Sequence, residues 1–303
     1  MTSFSTLYLT LSTALAPIIW GSTYIVTSEL LPPDRPFIAA VIRVLPAGLL
    51  LVLASRYWPQ RQQWRPLLIL ALLNIGLFQA LLFISAYRLP GGLAAIVGAL
   101  QPLLIMLLAW LFEQRIPRAY SLAAAALGVV GMALLLLSPQ SSWDNLGVLA
   151  AFASAISMAA GTYLAQRWQL GIPLLTFTGW QLLLGGIMLA PLAWWWDPAL
   201  PALSAVQGWS YAYLSLAGAL LAYSLWFRGL SRLSPVAVSS LGLLSPLTAV
   251  ILGWYWLQQS LSGLALLGMF AVLSSVLLIQ HFNRPGAIRP QPRSSSHSVI
   301  TGA

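Results

Sequence analysis

The chain contains very few charged residues and no cysteine or lysine. Charged residues make up 6% of its 303 positions, whereas an average soluble domain contains about one quarter. All 14 basic residues are therefore arginine. The absence of cysteine excludes disulfides, thiolate nucleophiles and cysteine-based metal sites.

Acids and histidines that could support catalysis are also scarce. The histidines, His281 and His297, lie at the end of the last apolar stretch and in the C-terminal segment, and no carboxylate lies near the centre of an apolar stretch. Hydrolytic and metal-dependent enzymes need such groups at productive spacing, and no Walker-type phosphate loop is present. The sequence thus argues against an enzyme, a bound cofactor and direct use of ATP. Proton coupling would have to use Glu29, Asp34 or Glu113 near the span ends, and a facilitator or exchanger is the alternative.

Long apolar stretches dominate what remains. Hydrophobic residues make up 59% of the chain, and its mean hydropathy is +0.86. Stretches of about 20 apolar residues bounded by charge, proline or turn residues are typical of membrane-spanning helices. They predict an all-α integral membrane protein in the lipid bilayer, with ten spans at 7–28, 36–55, 66–86, 91–112, 119–138, 145–166, 173–195, 208–229, 235–257 and 262–281.

The charged residues between these spans are segregated by sign, with most arginines on one side of the membrane and most acids on the other. With a cytoplasmic N-terminus, Arg35 and Arg88 lie outside, Arg43 lies within a span, and the other arginines lie inside. Four of the acids lie outside, with only Glu113 inside. This is the positive-inside pattern and predicts that both termini are cytoplasmic. It also accounts for the net charge of +9 without a nucleic-acid partner.

The two halves of the chain resemble each other at an offset of 144 residues. The matches are Leu81/Leu225, Phe83/Phe227, Arg88/Arg232, Leu89/Leu233, Gly98/Gly242, Leu100/Leu244, Pro102/Pro246, Trp110/Trp254 and Gln114/Gln258. Thr23 and Tyr24 match Thr162 and Tyr163 at offset 139, and Arg43 matches Gln181 at offset 138. Five spans per half is an odd number, which predicts a 5+5 inverted-topology repeat. We expect a first repeat at 1–140, a second at 141–282 and a disordered cytoplasmic tail at 283–303.

Several motifs resemble EamA-type members of the drug/metabolite transporter superfamily. The first is Trp-Gly-Ser-Thr-Tyr at 20–24. The others are the 36–46 segment containing Arg43, the 86–95 segment, and Gln101-Pro102 followed by Glu113-Gln114-Arg115-Ile116-Pro117; the 31–36 segment and the Leu-Pro-Gly-Gly run are most similar to the PecM-type branch. The resemblance covers about residues 7 to 281. It implies ten helices, both termini inside and export of a small metabolite.

One position departs from the family pattern. The family commonly has a glutamate at the end of span nine that matches the one ending span four. This chain has Gln258-Gln259 there, against Glu113 in the first half. Any role that needs an acid in both halves is therefore not expected.

Arg43 is the strongest single candidate for substrate binding. It lies seven residues into its span, roughly 10 Å along the helix axis. A charge at that depth is costly and usually faces a cavity or a partner. Its planar fork could bind a carboxylate or other anion. The alternatives are an ion pair with Glu29 and hydrogen bonds to carbonyls at the end of a neighbouring helix.

Polar and aromatic residues within the spans supply the other candidates. They are Trp20, Thr23, Tyr24, Asn74, Gln79, Gln101, Thr162, Tyr163, Gln181, Tyr223 and Trp226. Buried amides in lipid must find hydrogen-bond partners, so they line a cavity or join helices to one another. An apolar pocket with a few placed polar groups suits a small amphipathic ligand.

Pro102 and Pro246 lie inside predicted spans, with Gly98 and Gly242 one turn earlier. A proline removes an amide donor and permits a kink. These matched pairs are candidate hinges for alternating access, and static kinks that aid packing are the alternative.

The leading hypothesis is a secondary transporter of the inner membrane that exports small metabolites, such as amino acids or related amphipathic compounds, by alternating access. An uptake permease for a sugar or carboxylate and a non-transporting membrane scaffold or sensor are the alternatives. Homodimerisation stays open, because no motif requires it.

Overall fold

Helices account for the secondary structure in the computed structural model, which describes residues 3–88, 97–136, 144–256, 258 and 263–283. The α-helices are α1 Ser3–Leu30, α2 Pro36–Ser55, α3 Arg61–Ala71, α4 Leu77–Arg88, α5 Gln101–Glu113, α6 Ala119–Leu136, α7 Asn145–Trp168, α8 Leu174–Trp196, α9 Ala205–Ser215, α10 Ala222–Leu230, α11 Pro235–Leu241, α12 Leu244–Trp256 and α13 Gly263–Phe282. Two π-helical segments continue the backbone between α-helices: π1 Leu72–Gly76 joins α3 to α4, and π2 Leu216–Leu221 joins α9 to α10.

Eight helical stretches are long and apolar enough to cross a membrane. They are Ser5–Leu30, Pro36–Ser55, Arg61–Leu82, Ala119–Leu136, Asn145–Trp168, Leu174–Trp196, Pro235–Trp256 and Gly263–Phe282. The prediction of an all-α, multi-pass membrane protein is thus confirmed. Of the two remaining predicted spans, the fourth is described only from residue 97 and contains the shorter helix α5. The eighth is helical from α9 through π2 to α10 but is not among the eight stretches above. Ten crossings stay a prediction.

Two pairs of helices pack closely because glycine lies at their contacts. A methyl group at Gly186 on α8 would lie 2.9 Å from Cβ of Leu45 on α2. A methyl group at Gly131 on α6 would lie 2.8 Å from Cβ of Ala271 on α13. Small residues let helix backbones approach in this way within membranes. In the predicted repeat, α2 corresponds to α8 and α6 to α13, so each of these helices packs against its own counterpart.

Matched helix ends also recur in the two halves. The helices α5 and α12 are followed by Gln114 and Gln258, each with a φ of 54°. Each glutamine amide donates to a backbone carbonyl three residues earlier, Leu111 O at 3.2 Å and Tyr255 O at 3.0 Å. A left-handed residue directly after a helix turns the chain out of the helical path, as Gln114 does after α5.

The candidate hinges lie at matched breaks in the helices. Residues 99–100 form a turn before α5, and residues 242–243 form a turn between α11 and α12. Pro102 and Pro246 occupy the first turns of α5 and α12, where a missing amide donor costs little. Gly98 and Gly242 lie just before or within the breaks. These breaks are suitable places for the helices to bend, and bending there during transport stays a prediction.

Candidate functional site

The π2 segment presents a backbone carbonyl to two other helices. A π-helical turn shifts the hydrogen-bond register and is frequent at functional sites. The Gly218 carbonyl accepts a hydrogen bond from Trp20 Nε1 at 2.9 Å and one from Arg43 Nη2 at 3.1 Å. The absence of a side chain matters here, because a methyl group at Gly218 would lie 3.2 Å from Thr23 Cγ2. Gly218 therefore joins α1 and α2 of the first half to π2 of the second.

Arg43 keeps part of its guanidinium free in this arrangement. Its bond to Gly218 reaches a carbonyl on a neighbouring helix, as in one alternative weighed above, but Gly218 lies within the helical stretch from α9 to α10 rather than at its end. Its Nε atom, however, is buried and has no hydrogen-bond partner among the described residues. In that part of the chain no carboxylate lies within ion-pair distance of Arg43. Tyr24, Tyr213 and Tyr223 are the tyrosines near it.

Aromatic rings pack around Trp20, which shares the Gly218 carbonyl with Arg43. The Trp20 ring lies 5.0 Å from that of Tyr223 and 5.2 Å from that of Trp226, both tilted. Trp226 is only 1% exposed, and its Nε1 donor has no partner within the described ranges. Gln101 approaches from α5, since a methyl group at Gly242 would lie 3.9 Å from Gln101 Oε1 and 3.7 Å from Trp226 Cη2.

We call this group the Arg43 site, comprising Trp20, Arg43, Gln101, Gly218, Tyr223 and Trp226. Three N–H donors in it lack partners in the described structure: Arg43 Nε, Gln101 Nε2 and Trp226 Nε1. A buried donor left unpaired costs about 1–3 kcal/mol. A ligand that brings acceptor oxygens would recover that cost. The site is thus chemically suited to a carboxylate or carbonyl group attached to a flat or apolar body.

A second polar contact occupies the corresponding place in the other half. Asn74 Nδ2 donates to Gln181 Oε1 at 2.8 Å, and both side chains are fully buried. Asn74 is 144 residues before Gly218, and Gln181 is the repeat counterpart of Arg43. The Arg43–Gly218 contact, which joins α2 to π2, is thus matched by the Gln181–Asn74 contact, which joins α8 to π1. Here one neutral amide donates to the other, while Asn74 Oδ1 has no hydrogen-bond partner among the described residues and packs on Gly161.

Known proteins resemble this chain along almost its whole length. A family model described as the EamA-like transporter family matches residues 8–137 and again residues 145–280. The chain belongs to the EamA-like transporter family. Protein PecM of Dickeya dadantii is 42% identical over 284 residues, covering 92% of this chain and 95% of that protein. The uncharacterized transporter sll0355 of Synechocystis is 29% identical, covering 88% of both chains.

A solved structure supports the fold of this EamA-like transporter. One crystal structure of a protein superposes with a TM-score of 0.77 at 19% identity. The match covers 91% of this chain and 97% of the other. At that level of identity the likeness shows the fold alone.

The structure brings some of the predicted site residues of this EamA-like transporter together and separates others. Trp20, Arg43, Gln101, Tyr223 and Trp226 form the Arg43 site, with Thr23 beside Gly218 and Gln79 bonded to Tyr223. Tyr24, on the same helix, is 52% exposed. Asn74 and Gln181 pair with each other, with Thr162 buried next to Gly161. The role of each residue in binding stays a prediction.

Tyr163 belongs to a different cluster. Its hydroxyl donates to Glu113 Oε1 at 2.9 Å and accepts from Arg167 Nη1 at 2.8 Å. Glu113 also pairs with Arg115 at 3.0 Å. This cluster joins the end of α5 to α7, as expected for a structural ion pair at the side predicted to be cytoplasmic.

Sequence reasoning missed Gly218 and Tyr213. Gly218 acts through its backbone, and its one signal is that it lies 144 residues after Asn74. Tyr213 shares a 2.6 Å hydrogen bond with Ser22, which ties α9 to α1 near Arg43. Neither carries a motif of its own.

Asp197 positions α2, which carries Arg43. Its Oδ2 accepts a hydrogen bond from the Ile38 amide at 2.6 Å, at the first turn of α2. Helix N-terminal amides favour such an acceptor. Burial nevertheless raises the pKa of Asp197 above 3.8, against the smaller lowering effects of the backbone amides of Ile38 and Phe37 and of Arg35.

Proposed function

We propose that this EamA-like transporter is a secondary carrier of the inner membrane that exports small amphipathic metabolites, such as amino acids, by alternating access between its two halves. The single observation that carries the proposal is the Arg43 site, where three buried N–H donors without described partners lie beside a group of tilted aromatic rings.

The substrate class follows from the chemistry of that site. A free Arg43 Nε and two neutral donors suit a carboxylate, because a charge-assisted hydrogen bond is roughly twice as strong as a neutral one. Trp20, Tyr223 and Trp226 offer flat apolar surfaces for the remainder of the molecule. A sugar would need acceptors as well as donors, and the unpaired nitrogens named here only donate.

Two repeats of opposite orientation, 1–140 and 141–282, supply the movement. The site lies where they meet: α1, α2 and α5 belong to the first, and π2 and α10 to the second. Inverted-repeat carriers bind substrate at that interface and rock one half against the other. The double match of the family model supports two repeats, and the matched breaks at 99–100 and 242–243 supply bending points.

The topology proposed here places both termini in the cytoplasm. The charge distribution supports it, and so do the ion pairs. The Glu113 cluster with Arg115 and Arg167 falls on the proposed inner side, and the 3.6 Å pair of Arg88 with Asp144 falls on the outer side. Export rather than uptake rests on the likeness to the PecM-type branch. No enzymatic step is proposed.

Metabolite profiling of culture medium tests the function. Host cells would produce the wild type, Arg43→Ala or, as a matched control, Arg35→Ala at equal membrane levels. Arg35 is an arginine that bonds only loop carbonyls, Pro33 O and Ala199 O, in the described structure. A carboxylate-bearing compound enriched outside by the wild type and Arg35→Ala, but not by Arg43→Ala, supports the proposal. Depletion of a compound from the medium would indicate uptake, and no change with any variant would favour a scaffold.

A further inference from the structure

A cavity separate from the Arg43 site lies near the ends of the helices that carry Arg167 and Arg228. Its volume is about 370 Å³, and it lies between the end of α7, the start of α8 and the end of α10. Its lining includes Gln166, Gln169, Gly171, Phe177, Phe227 and Ser231. Cavities of about 300–1,000 Å³ accept small-molecule ligands. We call this space the α7–α8–α10 cavity.

The wall of this cavity leads directly to the Arg43 site. Phe227 lines the cavity yet is only 2% exposed. Its ring packs edge-on against Phe177 with the centroids 5.4 Å apart. On its other side it stacks on Tyr223 at 6.1 Å, and Tyr223 touches Trp20 in the Arg43 site. Phe227 thus lies between the cavity and the site.

The surroundings of the cavity favour an anion. Arg228 and Arg232 each lie next in sequence to a lining residue, as does Arg167, which is 3.9 Å from Glu113. Arginines therefore outnumber acids near the cavity. An excess of positive charge near a cleft raises the local concentration of anionic ligands. The apolar part of the wall, including Phe177, Leu174 and Leu230, suits the body of an amphipathic molecule.

We propose that the α7–α8–α10 cavity is the cytoplasmic entrance for a small amphipathic anion and that Phe227 is the gate between this entrance and the Arg43 site. The inference rests on the proposed function, which supplies the direction of movement. Rotation of the Phe227 side chain away from Phe177 would connect the two spaces. The ring closes the inner end of the site while Tyr223 and Trp226 hold the substrate.

The absence of cysteine makes this path directly measurable, because one introduced cysteine is the only thiol in the chain. Ala165→Cys reports on the cavity, since Ala165 lines it. Gln79→Cys reports on the far side of the gate, since Gln79 is buried and bonded to Tyr223. Leu149→Cys, an exposed apolar position on the same helix as Ala165, is the lipid-facing control.

Each reporter is combined with native Phe227, Phe227→Ala or Phe227→Leu, and with Phe270→Ala as an exposed phenylalanine control. Inside-out and right-side-out vesicles are treated with one of two membrane-impermeant thiosulfonate reagents. One is anionic and carries a sulfonate group, and the other is cationic and carries a trimethylammonium group. The labelling rate of each cysteine is divided by the rate at which the same reagent reacts with a free thiol in solution.

We expect Ala165→Cys to react in inside-out vesicles, faster with the anionic reagent, and Leu149→Cys to stay unreacted. Gln79→Cys should react slowly with native Phe227. Both Phe227 variants should speed its reaction about tenfold or more, as expected when a minor open state becomes dominant, while Phe270→Ala leaves it unchanged. Should Phe227→Ala fail to reach the membrane, Phe227→Leu decides.

The inference is overturned if Ala165→Cys reacts only from the outer side, if the cationic reagent reacts faster, or if neither Phe227 variant alters the reaction of Gln79→Cys. Labelling needs no transport. An intact labelling pattern without export would therefore defeat the proposed function, and export without the labelling pattern would defeat the gate.

Discussion

The side-chain amide of Gln79 donates to the hydroxyl of Tyr223 at 3.3 Å, and the two residues lie 144 positions apart. The same offset relates the matched residues of the two halves. A residue and its repeat counterpart can touch only near the axis that relates the repeats. The contact therefore supports a two-fold relation whose axis passes beside the Arg43 site, because Tyr223 also packs on Trp20.

Removing the hydroxyl of Tyr223 should weaken the contact between the halves. We expect Tyr223→Phe to destabilise the protein by about 0.6 kcal/mol, the average for hydrogen bonds within membranes. The same coupling energy should emerge from a double-mutant cycle with Gln79→Leu, measured by thermal unfolding in detergent. Tyr255→Phe, at a 67% exposed tyrosine, is the control and should change nothing. Additive effects of the two substitutions would show that the contact contributes no energy.

The fork of Arg43, rather than its charge alone, should matter for transport. Lysine keeps the charge but cannot bind the Gly218 carbonyl and a carboxylate as one planar group. We expect Arg43→Lys to lose most of the flux, on the order of 1.4 kcal/mol or tenfold, at an unchanged membrane level. Flux is read as initial efflux rate from loaded cells. Full activity of the lysine variant would reduce the role of Arg43 to its charge.

Helix positions were largely readable from the sequence, because the bilayer imposes length and apolarity on each span. The predicted span at 36–55 coincides with α2, and that at 145–166 with most of α7. The π-helical segments were not predictable, since the hydrogen-bond register depends on tertiary contacts such as those of Trp20 and Arg43 with Gly218.

The sequence predicted which residue types contribute to the site, but not which of the candidate residues contact one another. Arg43 and Gln181 correspond in the repeat, and both were candidates for substrate binding, with contacts between helices as the alternative. The structure places Gln181 against Asn74, whose side-chain amide donates to Gln181 Oε1. Pattern alone cannot say whether a buried amide faces a cavity or a second amide, because either partner meets its hydrogen-bond needs.

Close packing of α6 on α13 predicts a sharp difference between two glycines. A methyl group at Gly131 would lie 2.8 Å from both Ala271 Cβ and the Val272 amide nitrogen. We expect Gly131→Ala to cost about 1–3 kcal/mol through overpacking. A methyl group at Gly208 on α9 meets nothing within 4 Å, so Gly208→Ala should be neutral or stabilising. Equal melting temperatures for the two variants would contradict the packing.

The carboxyl of Asp197 should make stability depend on pH. Because burial raises its pKa in the folded protein above 3.8, the folded state holds the proton more tightly than the unfolded chain does. This stabilising contribution is fully present below the pKa that Asp197 has in the unfolded chain, and it is lost as pH rises through the pKa of Asp197 in the folded protein. Asp197→Asn should remove that part of the pH dependence while still accepting from Ile38. The difference in melting temperature between the two proteins, followed from pH 3.5 to 7.5, should therefore change with pH, and a constant difference would contradict the raised pKa.

Counterflow in proteoliposomes tests the central claim most directly, since exchange of labelled for unlabelled substrate is a property of alternating-access carriers. Vesicles containing the purified protein are loaded with the compound identified by profiling and diluted into a trace of its labelled form. We predict transient accumulation of label with the wild type and with Arg35→Ala, and none with Arg43→Ala at the same melting temperature. Absence of accumulation with the wild type, or equal accumulation with Arg43→Ala, would contradict a carrier that works through the Arg43 site.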